Sequence, residues 1–478
     1  MSTTSLLSRR RGTAIALFAL APFVLAACAE QPDPAGGAGP AETEQAAEPA
    51  EVAAVSPRLL LSYDGGIQVL DATTLETVGD LPADGFLRLN TAGNGRHALV
   101  STGGGFQLLD AGAWAEPHGD HSHYYTAAPE LTDITYAAEA PGHVISHDGQ
   151  VSLFDDGTGA VTVLDAAQIA AGPEGSVLRE YVTPAPHHGV AIALEDDSLV
   201  VTEGTEEERS SLLVLDAEGA EIAASDDCPG VHGAEVAADG AVVAGCEDGA
   251  LVYRDGQITH ADSPDDYGRI GNQAAAPNSP IVLGDYKSDP DAELERPTQV
   301  SLIDTRTAEV SLVELPASYS FRSLARGDDG EALVLGTDGA IHVIDPEAGE
   351  LERSIPVIEA WEEPGEWQQP RPTIAVGGGT AYVSDPNAQA IYAVDLESGE
   401  VWNSAQLPVA GNELALISGD AEAAEHGDGG DAGHEHEDHE HEHGDGGDAG
   451  HEHEDEHEHE DHEHGDHEHE HEDHGHDD

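Results

Sequence analysis

Lysine is nearly absent from this chain: Lys287 is the only one in 478 residues, and Lys and Arg together number 17 against 95 Asp and Glu, a formal net charge of −78. Nucleic-acid binding needs clustered Lys and Arg to neutralise phosphates, so that class is excluded. The same deficit argues against docking on anionic lipid. Aromatics are only 4%, Met occurs once and Cys three times. The uncharged run at residues 12–27 is too short for a spanning helix. What is present is an apolar fraction of 39% and 55 Gly, which is not the composition of a disordered chain and fits a Gly-rich all-β body.

The charge is divided. Residues 421–478 hold 26 of the acids, no Lys or Arg, and 17 of the 28 His. The N-terminus has Arg9, Arg10 and Arg11 ahead of the uncharged run, then Leu25-Ala26-Ala27-Cys28. A positive segment, a short apolar segment and small residues before the cut make residues 1–27 a secretory signal. The last four residues resemble a bacterial lipobox, which implies an acylated Cys28 and a protein outside the cytoplasm, held at the cell membrane by its lipid alone. Residues 28–55, rich in Ala, Pro, Glu and Gly, are expected to be a flexible, disordered tether. In an oxidising compartment the two remaining cysteines, Cys228 and Cys246, have one way to pair. A disulfide is the favoured reading, and a thiolate metal site the alternative.

The body, residues 56–418, repeats. Short apolar runs end in Asp at Asp71, Asp110, Asp165, Asp216, Asp255, Asp304, Asp345 and Asp395, with steps of 39 to 55 residues. Between them lie Asp148-Gly149, Asp239-Gly240, Asp248-Gly249, Asp329-Gly330 and Asp338-Gly339, which read as hairpin turns. One unit is explicit: strand-like residues 322–326, 331–335 and 340–345 follow one another across two turns. About four strands per 40–50 residues is the pattern of a β-propeller. The expected fold is therefore all-β, a single propeller of eight blades, with seven as the alternative. No amphipathic helix of useful length is seen.

The longest step contains His118-Gly119-Asp120-His121-Ser122-His123. Three imidazoles on a supple loop can converge on one ion, and neutral His nitrogen suits Zn²⁺. Asp120 can ligate or orient an imidazole. Further His recur at one phase of the repeat: His143, His188 and His232 open three successive inner strands, where Arg88 and Arg322 stand in other blades. Residues at the start of inner strands ring one channel mouth. The His118–His123 loop precedes the first of these strands, so all are expected to meet there. His187 points to the opposite face from His188 in an extended chain, and His97, His260 and His342 are read as structural.

These segments, residues 116–125, 141–143, 186–189 and 228–233, together with the export signal, resemble the AztD-type zinc metallochaperones over nearly the whole propeller. The resemblance implies an extracytoplasmic propeller that binds zinc and hands it to the zinc-binding solute protein of an ABC importer. The lipobox and a C-terminal position for the His-rich segment depart from that pattern.

The tail, residues 419–478, repeats the block at 427–438 as 444–455 and continues as His-Glu and His-Asp alternation. It cannot bury a core and is expected to be disordered without metal. Its candidate weak ligands are His434, His436, His439, His441, His443, His451, His453, His457, His459, His462, His464, His467, His469, His471, His474 and His476. Zn²⁺ suits them, and Ni²⁺ or Cu²⁺ fits too. A free imidazole protonates near pH ~6.5, so the tail should hold metal only near neutral pH or above. Against this non-enzymatic chaperone reading stand two others: a metal-dependent propeller hydrolase of the lactonase type, with Glu195 or Glu235 as conceivable bases, and a protein-interaction propeller with the tail as a metal sink.

Overall fold

The structure is a computed structural model that describes residues 49–119, 121–292 and 294–420. Cys28, Asp120 and the whole tail from residue 421 lie outside the described residues, as do the signal and most of the tether.

Eight antiparallel sheets follow one another along the chain. Blade 1 takes its innermost strand, Leu414–Ile417, from the end of the body and continues with Arg58–Tyr63, Gly66–Asp71 and Thr77–Pro82. Blade 2 runs Arg88–Thr91, His97–Thr102, Gly105–Asp110 and Glu130–Ala137. Blade 3 runs Pro141–His147, Gln150–Asp155, Ala160–Asp165 and Val177–Val182; blade 4 runs Ala191–Ala193, Leu199–Gly204, Arg209–Leu215 and Glu221–Ser225. Blade 5 runs His232–Val236, Val242–Gly245, Asp248–Arg254 and Gln257–Asp262, with Gly268–Arg269 added in parallel to its third strand. Blade 6 is Gln273–Ala274, Ile281–Asp285, Gln299–Asp304 and Glu309–Glu314. Blade 7 is Tyr319–Arg326, Ala332–Gly336, Ala340–Asp345 and Glu350–Pro356, and blade 8 is Thr373–Gly377, Thr380–Asp385, Ala390–Asp395 and Glu400–Gln406.

Each pair of neighbouring blades encloses its own apolar core. Leu59-Leu60-Leu61 illustrates how one strand serves two of them. Leu60 packs with Leu89 and Val100 of blade 2, while Leu59 and Leu61 pack with Tyr382 and Ile391 of blade 8. Side chains alternate across a strand, so a blade buried on both faces reads as a continuous apolar run. The core between blades 8 and 1 closes the ring, and the pairing of Leu414–Ile417 with Arg58–Tyr63 fastens it. The eight-blade expectation holds.

The repeated Asp residues all stand at or just after the end of a third strand. At most of them the carboxylate accepts backbone N–H groups of the turn that follows, as Asp71 does from Thr73 and Thr74, and Asp345 from Glu347 and Ala348. A short acidic side chain can mimic a backbone turn in this way, which explains the repeat. Asp148-Gly149 and Asp239-Gly240 form turns with φ positive at both residues. Asp248-Gly249 does not: it opens the third strand of blade 5.

The tether reading needs one correction. Ala50–Val52 is a strand, paired with His121–Thr126, so the chain is ordered before residue 56. Among the described residues helix is confined to a 3₁₀ segment at Ala166–Ala171 and a single turn at Pro173–Ser176. Among the described residues no helix is long and apolar enough to cross a membrane.

Candidate metal centre

Strands within a blade are antiparallel, so the second strand ends, and the third begins, at the face where the inner strand begins. His143 lies in the inner strand of blade 3, His188 in the connection leading into that of blade 4, and His232 opens that of blade 5. Their rings meet at this mouth. His188 Nε2 lies 3.2 Å from His143 Nε2 and 3.2 Å from His232 Nε2.

The other ring nitrogens explain why these atoms face inward. His188 Nδ1–H donates to Asp156 Oδ2 at 2.5 Å, and His232 Nδ1–H donates to the Gly271 carbonyl at 2.6 Å. A carboxylate and a carbonyl only accept, so each Nδ1 holds the ring's proton and each Nε2 presents a bare lone pair. Lone pairs 3.2 Å apart repel unless a cation lies between them. A tetrahedral Zn²⁺ with bonds of about 2.05 Å sets its donor nitrogens about 3.3 Å apart, so the spacing suits that ion. The triad supplies three donors and leaves a fourth position.

The site also disfavours the charged form of two of its imidazoles, His143 and His232. Burial pushes His143 well below its ordinary pKa, aided by the His188 and His232 rings and the Arg88 and Arg209 guanidiniums. Burial lowers His232 to about 3, against the opposing hydrogen bond to Gly271. Two glycines make the arrangement fit. A Cβ at Gly142 would collide with the carboxylate of Asp156 that holds His188, and Gly233, beside His232, has φ +66°.

The relatives agree with this fold. The zinc chaperone AztD of Citrobacter koseri is 24% identical over 388 residues, spanning 78% of this chain and 89% of that protein. A crystal structure of C. koseri AztD superposes with a TM-score of 0.63 at 22% identity, and an apo structure of the same protein with 0.65 at 22%. Each covers 76% of this chain and 98% of that one. No family model matches the sequence. The fold is that of AztD.

The second histidine group stands apart from the first. Ala113–His118 and His121–Thr126 form a hairpin inserted between the third and fourth strands of blade 2 and joined at its edge by Ala50–Val52. His118 pairs directly with His121, and His123 is two residues on, so all three share one face. Their ring centroids are 5.0 to 5.4 Å apart. His123 Nδ1 meets Glu51 Oε1 at 2.7 Å. The sequence reading placed this loop at the channel mouth with His143, His188 and His232, and the structure does not. The third strand of blade 2 runs parallel to the inner strand, so the hairpin leaves from the opposite face, and the two triads are separate donor groups.

His187 is fully buried, with Nδ1 at 3.0 Å from the Ala185 carbonyl and Nε2 at 3.1 Å from that of Thr202. His97, His260 and His342 are each engaged by neighbours: Asn94, the pair Asp248 and Asp262, and Ser354. A third grouping, Cys246, Asp248 and His260, is no ligand set, because Cys246 is bonded to Cys228.

The disulfide spans 18 residues and brackets the segment that delivers His232. Removing a cross-link of this size costs about 3 kcal/mol. Cys228→Ser/Cys246→Ser is therefore expected to lower the unfolding free energy by about that amount, read from denaturant titrations. An unchanged midpoint would refute the bracing role.

Sequence reasoning missed Asp156, the Gly271 carbonyl and Glu51. The one available signal was Asp156-Gly157 at a turn whose position in the blade repeat puts it on the channel face.

Proposed function

We propose that this protein is a zinc metallochaperone that works outside the cytoplasm. Its propeller holds one ion on His143, His188 and His232, and it yields that ion by ligand exchange to the solute-binding protein of an ABC zinc importer. The observation that carries the reading is the convergence of three Nε2 atoms whose outer nitrogens, in His188 and His232, are tied to acceptors. The similarity to the zinc chaperone AztD supports it. A half-buried ion with an open fourth position can be reached by an incoming ligand before its own ligands leave, which is what transfer without release requires.

The remaining calls belong to the same proposal. The hairpin triad, with Asp120, offers a second exposed site. The tail histidines gather further Zn²⁺, with Ni²⁺ or Cu²⁺ as competitors. Cys28 carries the lipid that keeps the protein at the membrane. A second reading, a zinc-dependent hydrolase, is favoured by one observation: burial raises Glu235, three residues beyond His232, to about 7, near the value a general base needs.

A chain ending at Asp420 keeps the closing strand and separates these readings. It is expected to retain one zinc through dialysis and to pass it to a periplasmic zinc-binding protein. If no zinc is retained, the propeller site does not exist. If zinc is retained and drives turnover of esters or lactones, the protein is an enzyme.

A further inference from the structure

In a chain with 95 acids and 17 bases, guanidiniums beside a dication site need a reason. Most arginines near the mouth are neutralised. Arg269 pairs with Glu247 at 3.3 Å, Arg322 with Glu413 at 3.0 Å and Arg371 with Glu363 at 3.0 Å. Two are not. Arg209 opens the third strand of blade 4 and donates Nη1–H to the carbonyl of His188 at 3.3 Å; among the described residues no carboxylate lies within ion-pair distance of it. Arg88 opens the inner strand of blade 2, next to the strand that carries His143. Its nearest carboxylate is Glu413, 3.9 Å away and already held by Arg322, and its side chain is 37% exposed.

Three neutral imidazoles leave the double charge of the ion uncancelled, and Asp156 offsets only part of it. Two further positive groups would repel the ion unless the fourth ligand is negative. Guanidinium groups bind oxyanions through paired N–H donors, and a carboxylate can bridge a metal and a guanidinium with its two oxygens.

We propose that Arg88 and Arg209 seat an oxyanion of the carboxylate type at the mouth, where it supplies the fourth ligand of the zinc held by His143, His188 and His232. This rests on the zinc reading of that triad and specifies how the ion is approached. Two sources share the chemistry: a small free carboxylate, and an Asp or Glu side chain of the protein that receives the metal. In the second case the carboxylate makes the first contact of transfer, and the arginines guide it in.

The test uses the full chain loaded with one equivalent of Co²⁺, whose visible absorption is intense for a four-coordinate site and weak for six-coordinate sites. His143→Ala in the full chain is the blank. Acetate is titrated at constant ionic strength set with chloride, and in a second arm a hexaglutamate peptide replaces it. The wild-type band is expected to shift and saturate with either. In Arg88→Gln/Arg209→Gln the half-saturating anion concentration should rise about ten- to a hundredfold, the loss expected for charge-assisted hydrogen bonds. Co²⁺ affinity without added anion should stay level or increase, whereas a merely structural role would lower it. Arg88→Lys/Arg209→Lys should recover part of the response, because charge returns without the fork. Saturation at a lower concentration of peptide carboxylate than of acetate assigns the seat to a polypeptide donor, and the reverse order to a free anion. A band that ignores both anions, or a glutamine variant that responds like the wild type, overturns the proposal while leaving the triad standing. A wild-type band no stronger than the His143→Ala blank removes the triad reading and this one with it.

Discussion

Replacing His188 by Ala is expected to weaken zinc binding to the propeller by more than about a hundredfold. A four-ligand zinc site is worth about 10–16 kcal/mol, so each ligand carries about 3 kcal/mol, and 1.4 kcal/mol is tenfold. His188 is the central member, since its Nε2 is 3.2 Å from both of the others. Asp156→Asn should act through it. The amide can still accept from Nδ1–H but no longer bears the charge that orients the ring and strengthens it as a donor, and such losses cost about ten- to a hundredfold. His121→Ala, on the hairpin, should leave the tightly held ion untouched, because that triad is a separate group on a different face. Competition against a chelating indicator, on a chain ending at Asp420, reads all three. Wild-type affinity in His188→Ala would place the ion elsewhere. A loss in His121→Ala equal to that in His188→Ala would mean that the two triads share one site.

The blades were legible because their punctuation is chemical. An Asp at or just after the end of every third strand, which caps the following turn in most blades, recurs in the sequence whatever the strands themselves contain, and all eight of these positions mark the end of that strand. The channel triad was legible for the same reason, as His at one phase of that repeat. Its orienting partners were not. Asp156 precedes His188 by 32 residues, and Gly271 follows His232 by 39, each arriving from a turn or connection of a neighbouring strand. Backbone carbonyls carry no residue signature at all. The hairpin was misplaced because proximity in sequence to His143 was taken for proximity in space. Strand parity decides the matter: a connection that leaves the third strand lies at the opposite face from one that enters the first. Glu51 was hidden within a stretch whose composition reads as tether, yet it is ordered because Ala50–Val52 completes the hairpin's sheet.

Acid should release the propeller's zinc far less steeply than it releases metal from ordinary imidazoles. Protons and Zn²⁺ compete for the same lone pairs, so affinity falls with pH only through ligands that would be protonated in the metal-free site. Three imidazoles of ordinary pKa, about 6.5, would together cost up to about a thousandfold per pH unit below that value. Here burial holds His143 well below its usual value and His232 at about 3, so His232 stays neutral between pH 6 and 4 and His143 resists protonation more than an ordinary imidazole does. At most two protons then oppose the ion, and the dissociation constant should rise no more than about a hundredfold per unit. The metal-free propeller bears the corresponding cost. A histidine whose folded pKa is depressed is neutral when folded and charged when unfolded, so stability is full above about pH 6.5 and falls as pH drops toward about 3. The increment that zinc adds to stability follows its affinity, so it should persist through that acid window and shrink only as far as the dissociation constant rises. Indicator competition at pH 6, 5 and 4, with thermal unfolding of loaded and stripped protein at the same values, checks both statements. A thousandfold change per unit would mean that the channel imidazoles titrate as free ones do, and that their burial does not keep them poised for metal.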